Sequence, residues 1–143
     1  MSYLLDTSVL CELAKRKPDA KVVRWFRETP EETLHLSVLS VGELRRGVEV
    51  AKGAARKERL RAWLERDLAE RFSDRLLSVT PAVADRWGRL SAQVGHRVPA
   101  IDGLVAATAL AHGLRIVTRR ERDFRFAGLE VVNPWEAGAE TRF

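Results

Sequence analysis

"YLLDTSVLCEL", residues Tyr3–Leu13, opens the chain with an apolar triplet that buries well as a short strand and ends it on Asp6, Thr7 and Ser8. A helix follows from about Val9. One of the two hydroxyls accepts the orphan N–H groups of that helix's first turn, which is ordinary capping. Asp6 has no such explanation. A carboxylate at the mouth of a buried strand costs free energy unless something cationic compensates it, so the strand end is the first candidate for chemistry.

The same alternation continues along the chain. Pro18 sits where a first helical turn tolerates proline and opens "PDAKVVRWFRE". Leu34 to Val38 is a second strand, and Ser40 starts a helix carrying Leu44 and Val48. Ala55 to Phe72 is one long amphipathic helix with Leu60, Trp63, Leu64, Leu68 and Phe72 at helical spacing. Leu76 to Val79 is a third strand. Thr80 and Pro81 form an N-cap and N1 pair for a helix running to about Val94, closed by Gly95. Pro99 to His112 is an Ala-rich helix closed by Gly113, followed by "RIVTR" as a fourth strand and "EVV" as a short fifth. Strands alternating with helices predict an α/β fold with a central, mostly parallel sheet covered on both faces.

Composition bounds the rest. The 143 residues are enough for one domain with its own core, and nothing divides them: residues 1–136 read as that domain and 137–143 as a C-terminal tail. The single cysteine, Cys11, excludes an internal disulfide and any multi-cysteine metal cluster, and reads as a core residue in a protein of a reducing compartment. The longest apolar run, "GLVAATALAHGL", is too short to span a membrane, which predicts a cytoplasmic protein with no membrane partner. Lys and Arg number 25 against 20 Asp and Glu, a net charge of +5 that favours a polyanionic partner such as nucleic acid. Neither Gly-rich nucleotide-binding loop is present, and His35, His96 and His112 share no metal-ligand spacing. The four tryptophans, Trp25, Trp63, Trp87 and Trp135, read mostly as core.

In open α/β sheets ligands bind outside the carboxyl ends of the strands, where the connections switch direction. That rule selects four acids: Asp6 after the first strand, Glu43 in the first turn after the second, Asp102 opening the Ala-rich helix, and Asp123 after the fourth. Asp6 is the least easily dismissed, while each of the other three alone has a plain structural explanation. Ser40 and Glu43 form a capping-box pattern, Asp102 suits a helix N-terminus, and Asp123 stands among arginines that would pair with it. Together they would repel one another without a counter-charge, and an all-oxygen set of this kind suits Mg²⁺ or Mn²⁺. Arg46, Arg119 and Arg120 are candidate phosphate contacts.

The segments "LLDTSVLCEL", "LSVLSVGELRRGV", "VPAIDGLVAATALAHGLRIVTRRERDF" and "VVNPW", in that order, resemble the PIN-domain family, most closely the toxin subunits of the bacterial VapBC and FitAB type. The resemblance implies a Rossmann-like, three-layer α/β/α domain acting as a Mg²⁺- or Mn²⁺-dependent endoribonuclease. It places the metal-binding acids on Asp6, Glu43, Asp102 and Asp123, with Thr7 and Thr118 assisting. It also implies a homodimer and a small antitoxin partner, through which alone operator DNA is bound. Two positions depart from the family pattern: Ser8 and Arg120 stand where asparagine is common. Two other functions compete with it. One is a phosphohydrolase using Asp6 as nucleophile, although Ser8 fills the place of the second acid that mechanism needs. The other is a non-catalytic module of a DNA-binding repressor complex, its acids binding a basic partner.

Overall fold

In the computed structural model, which describes residues 1–136, five parallel strands stand in the order β3-β2-β1-β4-β5. They are β1 (Tyr3–Leu5), β2 (Leu34–Ser37), β3 (Leu76–Leu77), β4 (Arg115–Val117) and β5 (Val131–Val132). β1 lies at the centre, with Tyr3 opposite Leu34 on one side and Leu5 opposite Val117 on the other. A central strand of a doubly covered sheet is apolar on both faces, and Leu4 and Leu5 are both fully buried. Because successive side chains point to opposite faces, they seed different cores. Leu5 joins Leu36, Val117 and Val132 under α1 (Thr7–Leu13), α2 (Ala20–Glu28) and α3 (Val38–Val50). Leu4 and Ile116 pack with Leu90, Val105 and Ala109 of α6 (Pro81–Gln93) and α7 (Ala100–His112). The fold is therefore three-layered α/β/α, as expected.

Several boundaries differ from the sequence expectations. α1 starts at Thr7, with Asp6 itself as N-cap residue and no side-chain capping bond, so neither Thr7 nor Ser8 caps a helix at Val9. α2 is capped by Asp19, whose carboxylate accepts from the Lys21 N–H at 2.8 Å, which leaves Pro18 before the helix. α3 is capped by Ser37 rather than started by Ser40, placing Glu43 in its second turn and abolishing the capping box. The expected helix from Ala55 to Phe72 is observed as α4 (Ala54–Ala62), a wide π-helical stretch (Trp63–Leu68) and α5 (Ala69–Arg71), which together keep Leu64, Leu68 and Phe72 in the core. β3 stops at Leu77, and Val79, expected within it, is 39% exposed. A two-residue strand is a common form for an exposed sheet edge.

Two side chains expected inside are not. Cys11 is exposed, and Trp87 is 36% exposed on α6. Trp87 nonetheless fixes the α6–α7 contact, because it lies over Gly103, where an added Cβ would stand 3.0 Å from its Nε1. α7 ends at Gly113, whose φ of 65° closes the helix in the left-handed conformation that glycine adopts without penalty. The tail 137–143 lies outside the described residues. Among the described residues no helix is long and apolar enough to cross a membrane.

Candidate active site

The strand order reverses between β1 and β4, so the crevice at their carboxyl ends is the place where an open α/β sheet binds ligands. The Asp6 N–H donates to the Val117 carbonyl at 2.9 Å, which fixes Asp6 directly at that switch point. Asp6 is 1% exposed. Its Oδ2 accepts from the Thr118 hydroxyl at 2.7 Å and from the Ser8 hydroxyl at 2.9 Å. The Ser8 oxygen in turn accepts from the Arg119 N–H at 3.2 Å, and Thr118 Oγ1 accepts from the Arg120 N–H at 2.9 Å. The hydroxyls after the first strand thus orient the carboxylate instead of capping the helix. Thr7 contributes less, its Oγ1 lying 3.5 Å from Asp6 Oδ1. Ser8 enters this network although the sequence offers it as a capping hydroxyl and as a departure from asparagine, not as a site residue. Its signal was present, a short hydroxyl two residues beyond a strand-end carboxylate.

One cation holds the acids together. Arg120 donates from Nη2 to Asp6 Oδ1 at 3.0 Å and from Nε to Asp6 Oδ2 at 3.2 Å. The same guanidinium reaches Asp102 through Nη2 to Oδ1 at 3.0 Å and Nη1 to Oδ2 at 3.3 Å, and Asp123 through Nη1 to Oδ2 at 3.3 Å. The side chains of Asp6, Asp102 and Asp123 are 2%, 13% and 51% exposed, so the cluster grades from the core to the rim. Burial works to raise the Asp6 carboxyl, but the Arg120 fork with the Thr118 and Ser8 hydroxyls outweighs it and holds the group below the usual aspartate range. The mutual repulsion expected of the acids is therefore offset from within the chain.

Glu43 stands apart from this pairing. Burial, and then the negative charges of Asp6 and Asp102, push its carboxyl above the usual glutamate range, against the weaker pull of Arg120. It faces a groove of about 810 Å³ with an apolar floor that includes Leu44, Leu60 and Trp63 and a basic rim that includes Arg46, Arg56 and Arg59. Arg119, whose N–H meets Ser8, carries its guanidinium 5.1 Å from the Trp135 ring. The "VVNPW" segment holds that ring in place, because Asn133 Oδ1 accepts from the Trp135 N–H and its amide donates to Glu121.

The donor set is all oxygen, the chemistry that hard divalent cations take. As the side chains stand, no group of three or more His, Cys, Asp or Glu among the described residues is disposed to hold a metal ion. The carboxylates share a guanidinium instead, and Arg120 occupies the position toward which Asp6 and Asp102 both turn.

The family model described as "PIN domain" matches residues 3–128, a span that contains every residue of this cluster. The chain belongs to the PIN-domain family. Among curated relatives, this PIN domain is 39% identical over 137 residues to the plasmid stability protein StbB of Pseudomonas syringae, covering 94% of this chain and 99% of that one. It is 36% identical over 136 residues to the VapC ribonuclease Y4jK of Sinorhizobium fredii, covering 93% and 97%. The crystal structure of FitAcB from Neisseria gonorrhoeae matches it with a TM-score of 0.85 at 34% identity, over 94% of this chain and 99% of that one. The likeness to VapC and Fit proteins read from the four sequence segments thus extends over nearly the whole PIN domain and its fold.

Proposed function

We propose that this PIN domain is the endoribonuclease toxin of a type II toxin-antitoxin system, and that it hydrolyses RNA phosphodiester bonds with Mg²⁺ or Mn²⁺. The observation that carries the proposal is the convergence of Asp6, Asp102 and Asp123 on one shared cation at the switch point of the sheet. The naming of the similar VapC protein as a ribonuclease supports it.

Asp6 and Asp102 would hold the ion, with Glu43 and Asp123 beside them. The ion supplies the charge that activates water and steadies the leaving oxygen of the phosphodiester. Ser8 and Thr118 keep the Asp6 carboxylate ionised and fixed in one orientation. Glu43, pushed above the ordinary glutamate range by burial and by its acidic neighbours, is the group that takes a proton from the attacking water. Arg119 and Arg46 flank the acids and bind RNA phosphates, joined by Arg120 whenever it leaves the carboxylates. The groove beside Glu43 takes the antitoxin, as an apolar segment carrying acidic residues that meet its basic rim. Operator DNA is bound through the antitoxin, and the toxin works as a homodimer in the cytoplasm.

The test is cleavage of single-stranded RNA by the purified chain with millimolar Mn²⁺ or Mg²⁺, with EDTA, and by Asp102→Asn. Cleavage that requires the ion and disappears in the variant supports the proposal. Cleavage that persists in EDTA, or at the original rate in Asp102→Asn, overturns it.

A further inference from the structure

The guanidinium of Arg120 spends Nε, Nη1 and Nη2 on the three carboxylates of the candidate site, and its place there is the place of a cation. We propose that Arg120 is an internal counter-cation that competes with a divalent ion for Asp6 and Asp102, and so sets how tightly the site takes Mg²⁺ or Mn²⁺. This rests on those carboxylates being an ion site.

Four features make the two occupants mutually exclusive and exchangeable. A hard ion bound to Asp6 Oδ1 and Asp102 Oδ1 at about 2.1 Å from each would have to stand between them, where Nη2 now stands 3.0 Å from both, so the two cations claim the same position. Arg120 is also more exposed than the two carboxylates it would release, its side chain 36% exposed over Asp6 and Asp102 at 2% and 13%, and it can swing out without opening the core. Its backbone is anchored independently, the N–H donating to Thr118 Oγ1 at 2.9 Å, so the backbone keeps its place while the side chain moves and gives up the guanidinium's place 5.3 Å from the Phe124 ring. Finally, one positive charge faces three carboxylates, with Glu43 close by, and this deficit favours a doubly charged ion. An arginine cannot leave by losing its proton, so the competition is decided by displacement and not by neutral-range pH.

Mn²⁺ binding, read as the disappearance of the free-ion electron paramagnetic resonance signal, tests this without any RNA. The proteins are the original chain, Arg120→Ala, Arg120→Gln and Asp102→Asn, with melting temperatures recorded in EDTA and in Mn²⁺. Both Arg120 variants are expected to bind Mn²⁺ at least tenfold more tightly than the original chain. In EDTA they melt lower, because the acids lose their counter-charge, but they gain more from Mn²⁺. A purely structural arginine would lower the melt and leave the gain from Mn²⁺ unchanged. Arg120→Gln keeps a folded arm if Arg120→Ala does not fold. Unchanged or weaker Mn²⁺ binding in both variants, with Asp102→Asn abolishing it, overturns the competition and leaves the ion site standing. Mn²⁺ binding by none of the proteins overturns both.

Discussion

Arg120 and Asp6, 114 positions apart, meet through a two-point fork of 3.0 and 3.2 Å at the carboxyl end of the central strand. Charge-assisted forks of this geometry are strong, and removing one partner leaves the other uncompensated. Asp6→Asn is therefore expected to lower stability in EDTA by about 2 kcal/mol, less than a wholly buried pair would lose because Arg120 still reaches Asp102 and water. Burial raises the Asp6 carboxyl, but the arginine and the two hydroxyls hold its folded value below the unfolded one. Its contribution is thus present above the ordinary aspartate pKa of about 3.9 and is lost as pH falls through the folded value. A melt of both proteins between pH 7 and pH 3 checks this: the gap should be constant well above the ordinary aspartate value and narrow on acidification below it. Repulsion among the acids alone would have made the variant more stable at pH 7.

Glu43 carries the opposite sign. Burial and the charges of Asp6 and Asp102 raise its folded carboxyl, so its protonated form is the one that folding favours. Its contribution is present below the unfolded pKa of about 4.3 and is lost as pH rises through the folded value, which leaves ionised Glu43 a cost at pH 7. Glu43→Gln should then melt higher than the original chain at pH 7 in EDTA and match it near pH 3. RNA cleavage should fall at least a hundredfold, consistent with loss of a general base.

The alternation of strands and helices, the central apolar strand and the acids at the strand ends were all legible because each rests on local periodicity or on a residue's place relative to a strand. In the sequence Arg120 reads as a candidate phosphate contact standing where asparagine is common, and not as the partner of three carboxylates. Its direction depends on a register that puts Leu5 opposite Val117, bringing the ends of β1 and β4 together, and nothing local encodes that. The role of Ser8 is hidden for the same reason, since its partners Thr118 and the Arg119 N–H arrive just beyond the end of β4. Glu43 reads one turn too early from sequence because Ser37 and Ser40 are both plausible caps; both are fully buried, and what tells them apart is that the Ser37 hydroxyl accepts from the Leu39 N–H at 3.1 Å. Cys11 reads as core on residue type, whereas it sits on the α1 face that lines the groove.

Thr118→Val separates orientation from charge. The substitution keeps the side-chain shape but removes the hydroxyl that donates to Asp6 Oδ2 at 2.7 Å and accepts from the Arg120 N–H at 2.9 Å. A buried carboxylate oxygen then loses one donor and a backbone N–H loses its acceptor, a cost of about 1–3 kcal/mol. The variant is expected to melt lower, to lose its stability at a higher pH than the original chain on acidification, and to cleave RNA at least tenfold more slowly. Thr118→Ser, which keeps the hydroxyl, should recover most of the activity. Equal activity in Thr118→Val and the original chain would show that the Asp6 orientation does not depend on this bond.

Gly103 reports on how tightly α7 must sit to present Asp102. A Cβ there would stand 3.0 Å from Trp87 Nε1, 3.1 Å from Trp87 Cδ1 and 3.3 Å from Val98 Cγ1. Alanine would otherwise favour the helix by about 1 kcal/mol over glycine, so the sign depends on whether Trp87 can yield. Its ring is 36% exposed and can tilt toward solvent, which limits the clash to the lower end of the 1–3 kcal/mol typical of overpacking. The two effects nearly cancel in stability. They do not cancel at the site, because a tilt of Trp87 or a shift of α7 moves the neighbouring Asp102 relative to Arg120, on which it makes two bonds near 3 Å. Gly103→Ala is therefore expected to melt within about 1 kcal/mol of the original chain while tryptophan fluorescence shifts and RNA cleavage drops several-fold. A variant that cleaves normally with an unchanged emission spectrum would mean that the α6–α7 contact has slack and does not set the position of Asp102.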